Sequence, residues 1–226
     1  MGPYTPYKEK IIECTRWLSL NGFFGSLRGT GGNVSLRVPG EEVFIVTPST
    51  LPYDRLTPEE MCVLDFNKKR IEGTRKPSVE SGLHLKVYQC RPDVNAVIHS
   101  HQNYASVLAV LNKPIPSLFD EVTLHLGPVV EVIPYALSGT PELIANIGGK
   151  LDNGCHGYLL QNHGALTLGT NLEDAWLNVE LLEKVAKIYL GALSTGNEPT
   201  LLPDDSVNLL KELRKKRLTR HVPVGT

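Results

Sequence analysis

Two histidines one residue apart, in Asn95-Ala96-Val97-Ile98-His99-Ser100-His101, are the side chains best spaced for chemistry. Asn95 to Ile98 is largely apolar and β-prone, as at the end of a buried strand. Side chains alternate along a strand, so His99 and His101 share a face, about 7 Å apart at a rise of ~3.3 Å per residue. Two imidazoles so placed can converge on one ion, and neutral imidazole suits zinc, copper, iron or nickel. A pair of surface or core histidines with no metal accounts for a lone His-x-His as well. Two further stretches shift the balance. Leu159-Leu160-Gln161-Asn162-His163-Gly164 is again an apolar strand ending in a histidine, with a glycine at a turn. Lys76-Pro77-Ser78-Val79-Glu80 places a carboxylate in the first turn of an expected helix. Three imidazoles and a carboxylate could surround a catalytic divalent ion and still leave a position for substrate.

Three polar loops could hold an anion. Gly29-Thr30-Gly31-Gly32-Asn33 is rich in residues that permit positive φ, and such a loop can turn successive N–H groups inward. It is neither a dinucleotide fingerprint, which follows a strand and opens a helix, nor a P-loop, which continues into Gly-Lys-Ser/Thr. Thr47-Pro48-Ser49-Thr50 supplies hydroxyls, and Pro77-Ser78 supplies another at a helix N-terminus, where the dipole favours a phosphate. Read singly, each is an ordinary turn.

The elements that must position these groups follow from periodicity. An amphipathic helix is expected over 7–21, stopped at Asn21-Gly22, and a strand pair over 34–38 and 43–47. Thr57-Pro58-Glu59-Glu60 has the pattern of a short capped helix, followed by strands at 61–66 and 71–73. Ser78 is expected to cap a helix from Val79 to about Gln89, ended by Arg91-Pro92-Asp93. A helix over 103–110 follows the His99/His101 strand, and Val129 to Ile133 is the best strand in a mixed stretch. Thr140 caps a helix to about Leu151, strands follow at 157–161 and 165–169, and Asn171 caps a long helix over 172–193. A basic helix over 204–218 closes the chain. Hairpins alternating with helices, without regular βαβ units, predict an α/β fold with a mostly antiparallel central sheet between helix layers.

At 226 residues the chain suits one domain, with a core over about 7–195 and a C-terminal helical tail over 200–226. A net charge of -1 gives no electrostatic case for nucleic-acid binding. Cys14, Cys62, Cys90 and Cys155 are scattered without a CxxC, which argues for thiols in a reducing compartment rather than a zinc ribbon or redox motif. No secretory leader and no apolar run long enough to cross a membrane is visible, so a cytoplasmic enzyme with no membrane association is expected.

Gly29-Thr30-Gly31-Gly32-Asn33-Val34-Ser35, Thr47-Pro48-Ser49-Thr50, Pro77-Ser78-Val79-Glu80, His99-Ser100-His101 and Asn162-His163-Gly164, in this order and spacing, resemble the class II aldolase/adducin family and, within it, the fuculose-phosphate aldolases. The resemblance runs from about residue 7 to 195. It implies that His99, His101 and His163 are ligands of a zinc ion and that Glu80 is a fourth ligand that also moves protons. It implies that Gly32, Asn33, Ser49, Thr50 and Ser78 bind the substrate phosphate. It further implies a homotetramer with active sites at subunit interfaces, and retro-aldol cleavage of a small ketose 1-phosphate to dihydroxyacetone phosphate and an aldehyde. Decarboxylation, epimerisation or dehydration of a related sugar phosphate would use the same ligands, and a non-catalytic adducin-like module would lack them. The aldolases often carry Gly where Thr50 stands and Ser where Val79 stands. Where they place a proton-donating Tyr of a neighbouring subunit, this chain has Asp120, followed by Glu121. Asp120 is accordingly the expected second acid/base, with Glu121 or Tyr135 as alternatives, although an aromatic after Ile133-Pro134 more often packs. His84 is read as a helix-face residue.

Overall fold

A computed structural model describes residues 2–26 and 29–220. Its centre is a nine-stranded sheet: β1 (Asn33–Arg37), β2 (Val43–Val46), β3 (Cys62–Asp65), β4 (Arg70–Glu72), β5 (Ala96–Ser100), β6 (Ile115–Pro116), β7 (Val129–Ile133), β8 (Gly157–Leu160) and β9 (Gly164–Gly169). The spatial order is β4-β3-β2-β1-β5-β9-β8-β7-β6. Every neighbouring pair is antiparallel except β7 and β8, whose parallel pairing requires a crossover. The expected α/β fold with a mostly antiparallel sheet is thus what the chain adopts.

The central strands read as near-continuous apolar runs because both of their faces are covered. On one face Phe44, Val46, Val97, Leu166 and Leu168 meet Leu83 and Val87 of helix α2 (Ser81–Cys90). Leu143 and Ile147 of α5 (Pro141–Gly148) complete that layer. Alternate residues Val34, Ile45, Val63 and Ile98 point the other way, onto Ile11 and Leu18 of α1 (Thr5–Leu20) and Ala175 and Val179 of α6 (Leu172–Ser194). Helices α3 (Asn103–Val110) and α4 (Asp120–Leu126) pack beside α6 over Leu159 and Ala165. The last helix, α7 (Asp204–Arg220), lies against α4, where Arg214 donates to the carbonyls of Leu124, at 2.9 Å, and Gly154, at 3.0 Å.

Local signals held where capping chemistry was explicit. Thr140 accepts from Leu143 N at 3.4 Å with Pro141 in the first turn, and Asn171 accepts from Asp174 N at 2.7 Å. Arg91 ends α2 as expected, pairing with Asp93 at 2.8 Å and donating to the Cys155 carbonyl at 2.9 Å. Three expectations need correction. Residues 58–60 form a turn and no helix, because the Glu60 carboxylate pairs with Arg75 instead of folding back on its own backbone. Helix α2 starts at Ser81, two residues later than expected, with Glu80 at its N-cap position and not in its first turn. Helix α5 stops at Gly148, and Leu151–Asn153 form a separate 3-10 turn. The stretch around Asp120 is also more regular than its mixed pattern suggests, since it forms α4. Among the described residues no helix is long and apolar enough to cross a membrane.

Asn171→Ala removes the acceptor at the start of the longest helix and is expected to cost about 1 kcal/mol. A fall in Tm without any change in the fold, read by circular dichroism, checks this.

Candidate functional site

His99 is fixed by the centre of the sheet. It pairs across β1 with Asn33 and across β9 with Leu166. Its ring Nδ1 lies 2.9 Å from the Ala165 carbonyl, an acceptor, so the N–H is on Nδ1 and Nε2 presents a bare lone pair. His101 stands one residue beyond β5, its backbone N–H bonded to the Phe23 carbonyl at 2.9 Å. His163 comes from the tight connection between β8 and β9. Asn162 takes a φ of +53° there, and the His163 N–H closes on the Leu160 carbonyl at 3.0 Å. The three rings meet with centroids 4.6, 4.6 and 5.4 Å apart. One ligand nitrogen from each lies within 4.8 Å of the others.

Glu80 joins them from the start of α2, the helix that covers this face of the sheet. Its Oε2 is 3.3 Å from His99 Nε2 and its Oε1 is 3.5 Å from His163 Nε2. Asn33 Nδ2 donates to Oε2 at 2.8 Å, and Ser138 Oγ donates to Oε1 at 2.7 Å. Burial works to raise the carboxyl, but His99, His163, Ser138 and Asn33 outweigh it and hold its pKa down at about 2. Burial, then the neighbouring imidazoles, lowers His101 to about 3, and burial together with His99 lowers His163 to about 4. Burial thus favours the neutral form of His101 and His163, the form that ligates metals.

These residues fit a divalent metal. The bare His99 Nε2 is only 2.8 Å from His101 Nε2, and a carboxylate closes the same space. So dense a set of lone pairs is stable with a shared proton or a cation among them. His163 Nδ1 is in addition buried without a hydrogen-bond partner among the described residues. Nitrogen donors with one carboxylate suit zinc and its first-row neighbours better than magnesium or calcium.

Two glycines let the backbones close on His99. A Cβ on Gly164 would lie 2.4 Å from the Ser100 carbonyl and 2.8 Å from His101 Cδ2. Gly32, at a φ of +72°, would bring a Cβ to 2.7 Å from the His99 carbonyl. The polar loops gather beside this point. Pro48 bridges Pro77, Ser49 N donates to the Lys76 carbonyl at 2.8 Å, and Ser78 N donates to the Thr47 carbonyl at 3.1 Å. Thr50 takes a φ of +59°, a left-handed conformation that a β-branched residue rarely adopts. Several side chains expected to bind phosphate have internal partners. The Asn33 carboxamide turns inward to Glu80, the Thr50 hydroxyl donates to the Ser49 carbonyl at 2.8 Å, and the Ser78 hydroxyl accepts from Glu80 N at 3.3 Å.

Asp120 stands exposed in the first turn of α4, and Glu121 beside it pairs with Lys184 at 3.0 Å. Among the described residues no bond links either to the histidine cluster. Tyr135 is not packed away but 54% exposed, its N–H bonded to Gln161 Oε1 at 3.0 Å. His84 lies on the face of α2 that packs on the sheet, fully buried and bonded to Ser35 and, through Nε2, to Asn33. Sequence reasoning missed Ser138, which no local signal marks. It also missed the network behind Asn33, although His84 and Tyr88, four apart on α2, were polar marks on an apolar helix face. A larger recess of about 550 Å3, lined by Arg91, Lys211 and Arg214 among others, shares no residue with this site.

Residues 9–190 match the model of the family described as class II aldolase and adducin N-terminal domain. The chain belongs to this family. The class II aldolase chain described here is 36% identical over 205 residues to an L-fuculose phosphate aldolase of Escherichia coli O6:H1, covering 90% of each. It is 37% identical over 190 residues to a 5-deoxy-D-ribulose 1-phosphate aldolase of Bacillus thuringiensis, covering 83% of this chain and 87% of that one. The solved structure of an L-fuculose 1-phosphate aldolase superposes with a TM-score of 0.87 at 35% identity, over 95% of this chain and 98% of the other.

Gly164→Ala drives a methyl group into the backbone beside His101 and is expected to splay the three imidazoles. The measurement is zinc retained after dialysis of folded protein, expected to fall at least tenfold, in the range by which disturbed metal sites lose affinity (about 10–100-fold). Wild-type zinc content would show that the glycine is dispensable.

Proposed function

We propose that this protein is a metal-dependent aldehyde-lyase cleaving a small ketose 1-phosphate, L-fuculose 1-phosphate or a close relative, to dihydroxyacetone phosphate and an aldehyde. The observation that carries this reading is the convergence of His99, His101, His163 and the Glu80 carboxylate on one point beside the three polar loops. Relatives at this level of identity bear the names of sugar-phosphate aldolases. The three histidines with Glu80 would hold the metal, zinc in this reading, which would supply Lewis-acid stabilisation of the charge that develops as the carbon–carbon bond breaks.

The remaining steps belong to the chain's own residues. Backbone groups at Gly32 and Asn33 and the hydroxyls of Ser49, Thr50 and Ser78 bind the phosphate, Thr50 and Ser78 by exchanging their internal partners for it. That fixes the ketone and the neighbouring hydroxyls beside Glu80. Glu80 takes the proton from the hydroxyl whose carbon becomes the aldehyde. The bonding pair stays on the carbon of the phosphate-bearing fragment, and the proton returned to that carbon completes dihydroxyacetone phosphate. A second proton donor is Asp120 of a neighbouring subunit or the exposed Tyr135. The exposed Val107 and Val110 of α3 and Leu111 just after it line a recess of about 310 Å3 next to His101, which supports a homotetramer with the site at a subunit interface. A cytoplasmic location accords with the four free cysteines.

The test is release of dihydroxyacetone phosphate from a panel of ketose 1-phosphates, with and without chelator. Chelator-sensitive release is expected, with L-fuculose 1-phosphate among the preferred substrates. No release from zinc-loaded protein would overturn the reading and point to decarboxylation, epimerisation or dehydration at the same centre. Glu80→Gln is expected to keep the fold and lose about 10²–10⁴-fold in kcat, the usual worth of a positioned acid/base. Normal turnover in that variant would remove Glu80 from the proton path.

A further inference from the structure

Behind Glu80 runs a file of buried polar side chains. Tyr88 Oη is 2.6 Å from Ser35 Oγ, and Ser35 Oγ is 2.6 Å from His84 Nδ1. His84 Nε2 meets Asn33 Oδ1, and Asn33 Nδ2 reaches Glu80 Oε2 at 2.8 Å. All five residues are buried, Ser35 and His84 completely. They come from strand β1 and helix α2, so the file crosses the interface between the sheet and one helix layer.

The direction of every bond follows from one end. An ionised carboxylate only accepts, so Asn33 must present its NH₂ to Glu80 and its carbonyl oxygen to His84. His84 Nε2 must then carry the hydrogen. A neutral imidazole has one N–H, so Nδ1 is bare and takes the Ser35 hydroxyl proton. With that proton spent, Tyr88 must donate to Ser35. Each group thus donates towards Glu80, and such chains polarise one another in a low-dielectric interior.

We propose that His84 is a positioning residue of the site: as the Nε2–H tautomer it locks the Asn33 carboxamide and thereby fixes Glu80 Oε2, at the end of a one-way hydrogen-bond chain that starts at Tyr88. The two carboxylate oxygens are then unequal. Oε2 is tied to the core, whereas Oε1 is held by Ser138, an exposed residue that can move away. Proton transfer belongs to the Oε1 side. This rests on the reading of Glu80 as the proton-moving group.

Long-range 1H–15N NMR of zinc-loaded protein reads the tautomer directly, with His84 expected to be protonated at Nε2 and bare at Nδ1. Kinetics with L-fuculose 1-phosphate read the consequence. His84→Leu is expected to lower kcat about 10–100-fold, the usual range for residues that orient metal ligands, with KM and zinc content little changed. His84→Gln, which restores an amide N–H near the Nε2 position, recovers part of the loss, and Ser35→Ala and Tyr88→Phe lose progressively less. An Nδ1–H tautomer overturns the proposal, as does a folded, zinc-loaded His84→Leu with wild-type kcat or a loss confined to Tm. If His84→Leu does not fold, Ser35→Ala decides: a lower kcat at full zinc content supports the chain, and unchanged kcat sinks it. Normal turnover in Glu80→Gln would refute the role of Glu80 but leave the tautomer as found, so the two failures are distinct.

Discussion

The site depends on one strand being clamped between two others. β5 pairs with β1 on one side and β9 on the other, and His99 lies within both ladders. Backbone hydrogen bonding therefore sets the His99 Cα, and the Ala165 carbonyl sets its ring. The other residues of the cluster are referred to this fixed point. His101 follows one step later in the same chain, His163 arrives from the connection into the strand that pairs with β5, and Asn33 sits directly opposite on β1. Few arrangements place three imidazoles together with so little freedom left to each.

Against this rigid side stands a carboxylate that must be both held and able to act. Glu80 comes from the start of α2, in the helix layer that covers the face His99 points to, where the Pro48–Pro77 bridge ties its loop to the sheet. Its burial would favour the neutral acid if it were alone. Imidazoles on one side and amide and hydroxyl donors on the other reverse that preference, so the group stays charged in a place where bare charge is costly. The same donors that keep it ionised also set its direction.

The histidine set was legible because strand alternation is a strict rule: residues two apart on a strand share a face. The glycine after His163 marked the hairpin, and Thr140 and Asn171 marked helix starts through side chains that accept from the backbone. The misreadings share a cause. Thr57 to Glu60 carries helix-start residues, yet Arg75, far along the chain, captures the Glu60 carboxylate. Ser138 reaches Glu80 across 58 residues of sequence, and no local pattern encodes that approach. His84 was read from its own helix alone, whereas its burial is decided by the strand that helix packs on.

The same cluster also bears on how the molecule resists unfolding. Glu80, His99 and His163 come from the start of a helix, the middle of the sheet and a hairpin tip, segments far apart in the chain and linked mainly by packing. An ion shared among them would act as a cross-link binding only the folded form. By mass action its contribution grows with the logarithm of free metal, reaching about 4 kcal/mol at a thousandfold excess over the dissociation constant. The group that serves the reaction would then double as a rivet through the core, and depletion of metal would cost the protein its lifetime as well as its turnover.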